Sequence, residues 1–396
     1  MKLHTRCLIL VVLALAVAAC APAATTTATP TPRPTATLTP SPTPTATSTP
    51  PPTSTPIPTQ YGPADGSLLH DEDGDPEIFL TGIQQADVHA SISFYVPYPR
   101  LTHACNIGFL FRYRDQGNYY QLVVDYCAPS GKPDRHWAFY MVRNDELELI
   151  DSGDLGSSVP VYYRDPEETN HMRLIAIGSE GYFLWNEHFV ARLDLSMLLS
   201  PGDVGLITAF GGEREVAGEQ TRFEDFMVRP LPPEFGPASI GLEHDRDDAF
   251  EFACTDLSLV DFIAQTDFLV PGTATEWDVG FLFRATNEKH YRVILATYQA
   301  FIYWRLVRDT PAGFHRIQWR LTRGIDSSPG AQNTLTLIAI DRWGYFFIND
   351  RFQDRIDISP ILDEGDVCVA TGMYAGHEVV GHQTRFEDFT VHSLEP

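Results

Sequence analysis

From residue 61 onward, apolar residues fall in runs of about five to eight, separated by Gly, Asn, Asp and Pro. Within many runs, apolar and polar positions alternate. A period of two turns one face of a segment toward a core and the other toward water, so these runs read as β-strands joined by turns, with little helix. Ile107–Arg112 and Tyr119–Asp125 form a hairpin around a turn at Tyr113–Asn118. Leu174–Ile177, Tyr182–Trp185 and Phe189–Leu193 form a meander whose tight turn is Asn186-Glu187. Many short strands with turn signals between them predict an all-β sandwich.

The same pattern is written twice. Ile107-Gly108-Phe109-Leu110-Phe111-Arg112 returns as Val279-Gly280-Phe281-Leu282-Phe283-Arg284, and Leu174-Ile175-Ala176-Ile177 as Leu337-Ile338-Ala339-Ile340. Gly202-Asp203-Val204 returns as Gly365-Asp366-Val367, and Gln220–Phe226 returns unchanged as Gln383–Phe389, at an offset of 163. A repeat of this length is a complete domain rather than a solenoid unit. The predicted domains are 61–230 and 231–396, joined at Arg229-Pro230-Leu231-Pro232-Pro233.

The first 60 residues carry no such pattern. Lys2 and Arg6 precede an apolar run, Leu8–Val17, too short to span a bilayer. The run ends in Val17-Ala18-Ala19-Cys20, which resembles a bacterial lipobox. That resemblance implies export, lipidation of Cys20 and anchoring by lipid alone. Residues 21–60 hold 12 prolines and 15 threonines. They can build no core and read as a disordered stalk reaching roughly 120 Å at about 3.1 Å per residue.

Composition narrows the partners. The chain has 28 Lys and Arg against 52 Asp and Glu, a net charge of −24. Such a balance argues against nucleic acid and anionic lipid as targets. With export, the expected partner is an extracellular glycan or polymer, or a surface protein.

Beyond Cys7 and Cys20, four cysteines remain. Cys105 and Cys127 straddle the first hairpin symmetrically if Arg112 stands opposite Tyr120, and Trp277 and Tyr298 take their places in the second copy. Cys254 and Cys368 align with Leu80 and Gly205, so the first copy lacks both. The expected bonds are Cys105–Cys127 and Cys254–Cys368, as an oxidising compartment allows.

The repeated Gly-Phe-Leu-Phe-Arg, Leu-Ile-Ala-Ile and Gly-Asp-Val … Phe-Glu-Asp-Phe segments resemble the concanavalin A-like jelly rolls. These include the laminin G-like domains and the 3-keto-disaccharide hydrolase type found in exported bacterial proteins. The resemblance covers most of each copy and implies two tandem jelly-roll sandwiches. It does not choose a function, because this fold hosts lectins, hydrolases and spacers.

Chemistry-bearing motifs are sparse. There is no phosphate loop, dinucleotide fingerprint, nucleophile elbow or zinc spacing. The nearest match to the paired carboxylates of jelly-roll glucanases is Glu243-His244-Asp245-Arg246-Asp247-Asp248, whose last residue is wrong, and it reads as an acidic turn. The pattern leans away from an enzyme. Aromatic rings stack on sugar rings, which makes Trp137, Trp185, Trp304, Trp319 and Trp343 the candidate ligand contacts. Trp319 lies among Arg316, Gln318 and Arg320, and Trp343 sits in a turn where exposure is expected. Carboxylates around a glycine turn suit calcium, which makes Asp71, Asp73, Asp245 and Asp247 a candidate metal set, and the resemblance to carbohydrate-binding jelly rolls implies that Asp225 and Asp388 of the closing strands join it. The repeated Arg112/Arg284, Arg222/Arg385 and Asn186/Asn349 read as structural. The expected function is non-catalytic glycan binding at the cell surface. A glycosidase of the 3-keto-disaccharide hydrolase type and a structural or protein-interaction module of the envelope are the alternatives.

Overall fold

The computed structural model describes residues 59–395 except 71–75, 96–103, 126–135, 156–167, 212–217, 219, 245–249, 272–275, 299–300 and 374–380. No helix occurs among the described residues. The first copy holds β1 (Tyr61–Leu69), β2 (Glu77–Leu80), β3 (Val88–Tyr95), β4 (Ala104–Asp115), β5 (Asn118–Asp125), β6 (His136–Arg143), β7 (Glu146–Asp154), β8 (Thr169–Ile177), β9 (Glu180–Trp185), β10 (His188–Asp194), β11 (Asp203–Gly211) and β12 (Gln220–Pro230). The second holds β13 (Phe235–Glu243), β14 (Phe250–Cys254), β15 (Phe262–Leu269), β16 (Trp277–Ala285), β17 (His290–Tyr298), β18 (Phe301–Thr310), β19 (Gly313–Leu321), β20 (Gln332–Ile340), β21 (Trp343–Ile348), β22 (Arg351–Asp357), β23 (Asp366–Met373) and β24 (Gln383–Ser393).

Each copy is two antiparallel six-stranded sheets. The first pairs β1-β12-β3-β8-β9-β10 with β2-β11-β4-β5-β6-β7, and the second repeats this order as β13-β24-β15-β20-β21-β22 and β14-β23-β16-β17-β18-β19. This is the tandem jelly-roll architecture that the repeats predict. Inward residues of facing sheets interdigitate, with Phe109, Phe111, Leu174 and Phe183 central in the first core and Phe281, Phe283, Leu337 and Phe346 in the second. The turns at Asn186-Glu187 and Asn349-Asp350 have positive φ at both central residues, from 45° to 63°. That is the type I′ geometry a two-residue hairpin loop requires, and Asn tolerates it.

Arg112 and Arg284 also have positive φ, 50° and 47°, and their side chains are buried. Arg112 donates from Nε to the Ala86 carbonyl at 3.0 Å and from its terminal nitrogens to the carbonyls of Gly178, Leu195 and Leu198. Arg284 repeats the clamp on Val260, Asp341, Ile358 and Ile361. One guanidinium ties three connections of each sandwich together. Survival of this residue in both copies has a structural cause.

The hairpin register corrects one expectation. Phe111, not Arg112, stands opposite Tyr120. The left-handed turn of the backbone at Arg112 takes that residue out of the ladder. In the second copy, Trp277 bonds to Thr297 instead of facing Tyr298, and its ring packs on Phe268. Cys127 lies outside the described residues. Cys254 and Cys368 stand opposite each other and are disulfide-bonded, and Leu80 and Gly205 occupy the same facing positions in the first copy.

The two sandwiches share a third core. Ile175, Tyr182 and Leu184 of the β1-containing sheet pack against Ile263, Ile338, Tyr345 and Phe347 of the β13-containing sheet, with Leu231 and Leu394 at the joint. Phe347 meets Tyr182 and Phe189 edge to face. Arg192 reaches Asp350 at 3.1 Å, and its counterpart Arg355 donates to the carbonyl of Glu187, the counterpart of Asp350. The contact therefore has an approximate two-fold relation. The two β1- and β13-containing sheets face each other, and around β8–β9 and β20–β21 they are buried on both faces.

Candidate functional site

The outer faces of the two sandwiches are open to solvent, and they differ. In the first copy, Leu110, Val123, Ala138 and Ile207 fill the face and are buried beside Tyr113, Tyr119 and Tyr140. In the second copy Gly280, Leu282 and Ile294 repeat Gly108, Leu110 and Val123, while Ala370 and Arg305 replace Ile207 and Ala138. Gly280 stands opposite Ala370 and Ile294, and Asp278 opposite Gly372 and Ala296. A side chain at 280 has no room, because a Cβ there would lie 2.1 Å from the Val293 carbonyl oxygen. Large residues rise on both sides of this floor. Phe250 and Phe252 stand on β14, and Tyr303 and Trp319 on β18 and β19. Four strand spacings separate β14 from β18, roughly 19 Å. The result is a trough with aromatic walls.

Its walls are open. Phe252 is 55% exposed, Phe301 57% and Trp319 43%. Tyr303 packs edge-on to Trp319 with ring centroids 4.7 Å apart, and the Arg316 guanidinium lies 4.8 Å from the Trp319 ring centre. Arg292 sits over Phe250 at 4.8 Å and bonds Asp309 at 3.0 Å.

One buried acid lies in the floor. Asp278 accepts from Arg305 at 3.0 Å through Oδ2, while its buried Oδ1 has no hydrogen-bond partner. Burial pushes its carboxyl pKa up, against the pull of Arg305 and Arg292. Oδ1 is closed off from solvent, so a ligand on this face meets the rings and guanidinium groups around Asp278 rather than that oxygen. Rings for stacking beside fixed polar groups form the combination that holds a sugar.

The predicted contact residues divide. Trp137, Trp185 and Trp304 are buried in the two cores and offer no face to a ligand. Trp343 is not free in a turn. Its Nε1 donates to Glu187, and Arg355 covers its ring at 3.8 Å, so the joint between the sandwiches takes it up. Only Trp319 reaches the trough. Asp278, Arg305, Tyr303 and Arg292 were not among the sequence candidates. The available signal was an acid at 278 inside an apolar strand where the first copy has Asn106.

Cys20, Asp71, Asp73, Asp245 and Asp247 lie outside the described residues. Asp225 and Asp388 are exposed at bulges of β12 and β24, with φ of 54° and 52°. Among the described residues, the one tight cluster of metal-ligand types is Cys254, Asp366 and Cys368. Its sulfurs are bonded to each other, so it presents no thiolate.

No protein-family model matches the sequence, and no curated protein matches it. Solved structures do. Carbohydrate binding module CBM66 from Bacillus subtilis is 16% identical over 41% of this chain and 100% of that one, with a TM-score of 0.32. Domains LG4-5 of the mouse laminin alpha1 chain are 11% identical over 84% of this chain and 88% of that one, at 0.26. A Bacillus licheniformis beta-glucanase is 6% identical over 40% and 78%, at 0.31. At these identities the likeness is one of fold.

Proposed function

We propose that the chain is an exported, lipid-anchored protein that binds glycan, without cleaving it, in the trough of the second sandwich. The observation that carries this reading is the pair of aromatic walls on an open sheet face, Tyr303 and Trp319 on one side and Phe250 and Phe252 on the other, with the acid Asp278 in the floor between them. Arg305 neutralises this acid. That suits binding a sugar better than cleaving a glycosidic bond, which needs a second carboxylate at a set distance. The lipobox and the Thr/Pro stretch support display on the outside of a membrane.

The test is a glycan array with the full chain in mild detergent, run with calcium and again with chelator. Saturable binding that disappears in Trp319→Ala supports the trough as the site. Saturable binding that survives that substitution removes the trough from consideration. Binding lost on chelation assigns a metal to the acidic turns around Asp71 and Asp245.

A further inference from the structure

The hairpin that forms one wall of the trough has the wrong charge for this protein. Residues 301–323 contain five arginines and a single acid, Asp309, in a chain where acids outnumber bases 52 to 28. On the outer face, Arg292 and Arg305 have carboxylate partners. Arg316 has none among the described residues. It is exposed and held on the face of Trp319. Arg320, 64% exposed, stands on the other face of β19, opposite Trp304, and lies 3.5 Å from Asp354 of the facing sheet. The first copy has the opposite sign on its outer face, where Asp125, His136 and Asp154 stand in one cross-strand row.

We propose that the trough takes an acidic glycan, a polymer of rings carrying carboxylates, with ring faces on Trp319 and Tyr303 and a carboxylate on Arg316. This deepens the glycan-binding reading of the same face and rests on it. A guanidinium matches a carboxylate through two parallel hydrogen bonds, and one already stacked on an aromatic ring loses less freedom when it binds. The protein's overall negative charge does not forbid the contact. At physiological salt the screening length is about 8 Å, so distant acids are muted while a touching arginine is not.

The test compares polygalacturonate with its fully methyl-esterified form, which keeps the rings and removes the charge, on the full chain in mild detergent. The expected result is about tenfold tighter binding of the acid at low salt, a gap that narrows as salt is added. Arg316→Gln is expected to shrink that gap several-fold, with an unchanged melting temperature showing that the fold is intact. Trp319→Ala is expected to weaken both polymers. Equal affinity for the two polymers overturns the charge inference and leaves glycan binding standing. Binding of neither polymer, with the array also blank, overturns both. Single-stranded DNA of matched charge bound as tightly as polygalacturonate overturns the assignment to a glycan.

Discussion

At the scale of single residues, the two buried arginines and the buried acid make opposite kinds of statement. Arg284 satisfies four carbonyls that lie far apart in the chain. Arg284→Met should therefore destabilise the second sandwich by about 3–5 kcal/mol, read from urea unfolding, because it strands those acceptors. Asp278 instead is an acid whose charge is set by burial against two neighbouring arginines. Its raised pKa means that it takes up a proton at higher pH than an ordinary carboxylate. Ligand binding that depends on its charge should decline as pH falls toward that range, and Asp278→Asn should flatten the decline in a binding titration. Both arginines were visible as a repeated letter, yet their task was not. Their partners are backbone carbonyls, which no pattern of side chains encodes. The tryptophans show the same limit. Period two separates the two faces of a strand, but it does not tell which face meets the core: Trp137 and Trp304 sit on core faces of outer-sheet strands, and Trp185 lies in an inner sheet.

At the scale of elements, Leu174–Ile177 and Leu337–Ile340 held the clue to the third core. A half-buried strand alternates, and these runs do not. A continuous apolar strand is what a sheet covered on both faces demands. The same runs also align the two copies, at an offset of 163. The turns were legible because two-residue loops need positive φ and few residues supply it. The disulfide was legible because loss of both partners together, as Leu80 and Gly205, marks a pair. It closes a separation of 114 residues. Replacing Cys254 and Cys368 by Ala should lower stability by about 2–5 kcal/mol, measured by denaturant unfolding against the oxidised protein.

At the scale of the whole molecule, the back-to-back packing predicts coupled unfolding. Phe347→Asp buries a charge among Tyr182, Phe189 and Phe352. It should split a single calorimetric transition into two, one for each sandwich. Acid should act on the same region. His89 is buried and His171 half-buried on the sheet face beside Ile175. Burial first, then Arg173, lowers His171 to about 3, and burial with Arg173, Arg229 and His171 holds His89 well below its ordinary value. Both histidines fold as neutral rings. The stability they contribute is complete above about pH 6.5 and is lost as pH falls toward 3. Melting temperatures should drop across that window, and His89→Gln should reduce the slope.

The pairing of β1 with β12 sets how the molecule carries tension. Tyr61, where the chain enters the first sandwich, lies beside Val228, two residues before Pro230, where it leaves for the second. A pull between the residues before Tyr61 and the second sandwich thus enters and exits the first at neighbouring points. Most of that domain is bypassed by the load. The β1–β12 ladder meets the pull at its end and opens bond by bond, like a zipper rather than a shear joint. Under strain β1 yields first, and the trough on the second sandwich stays folded while it does.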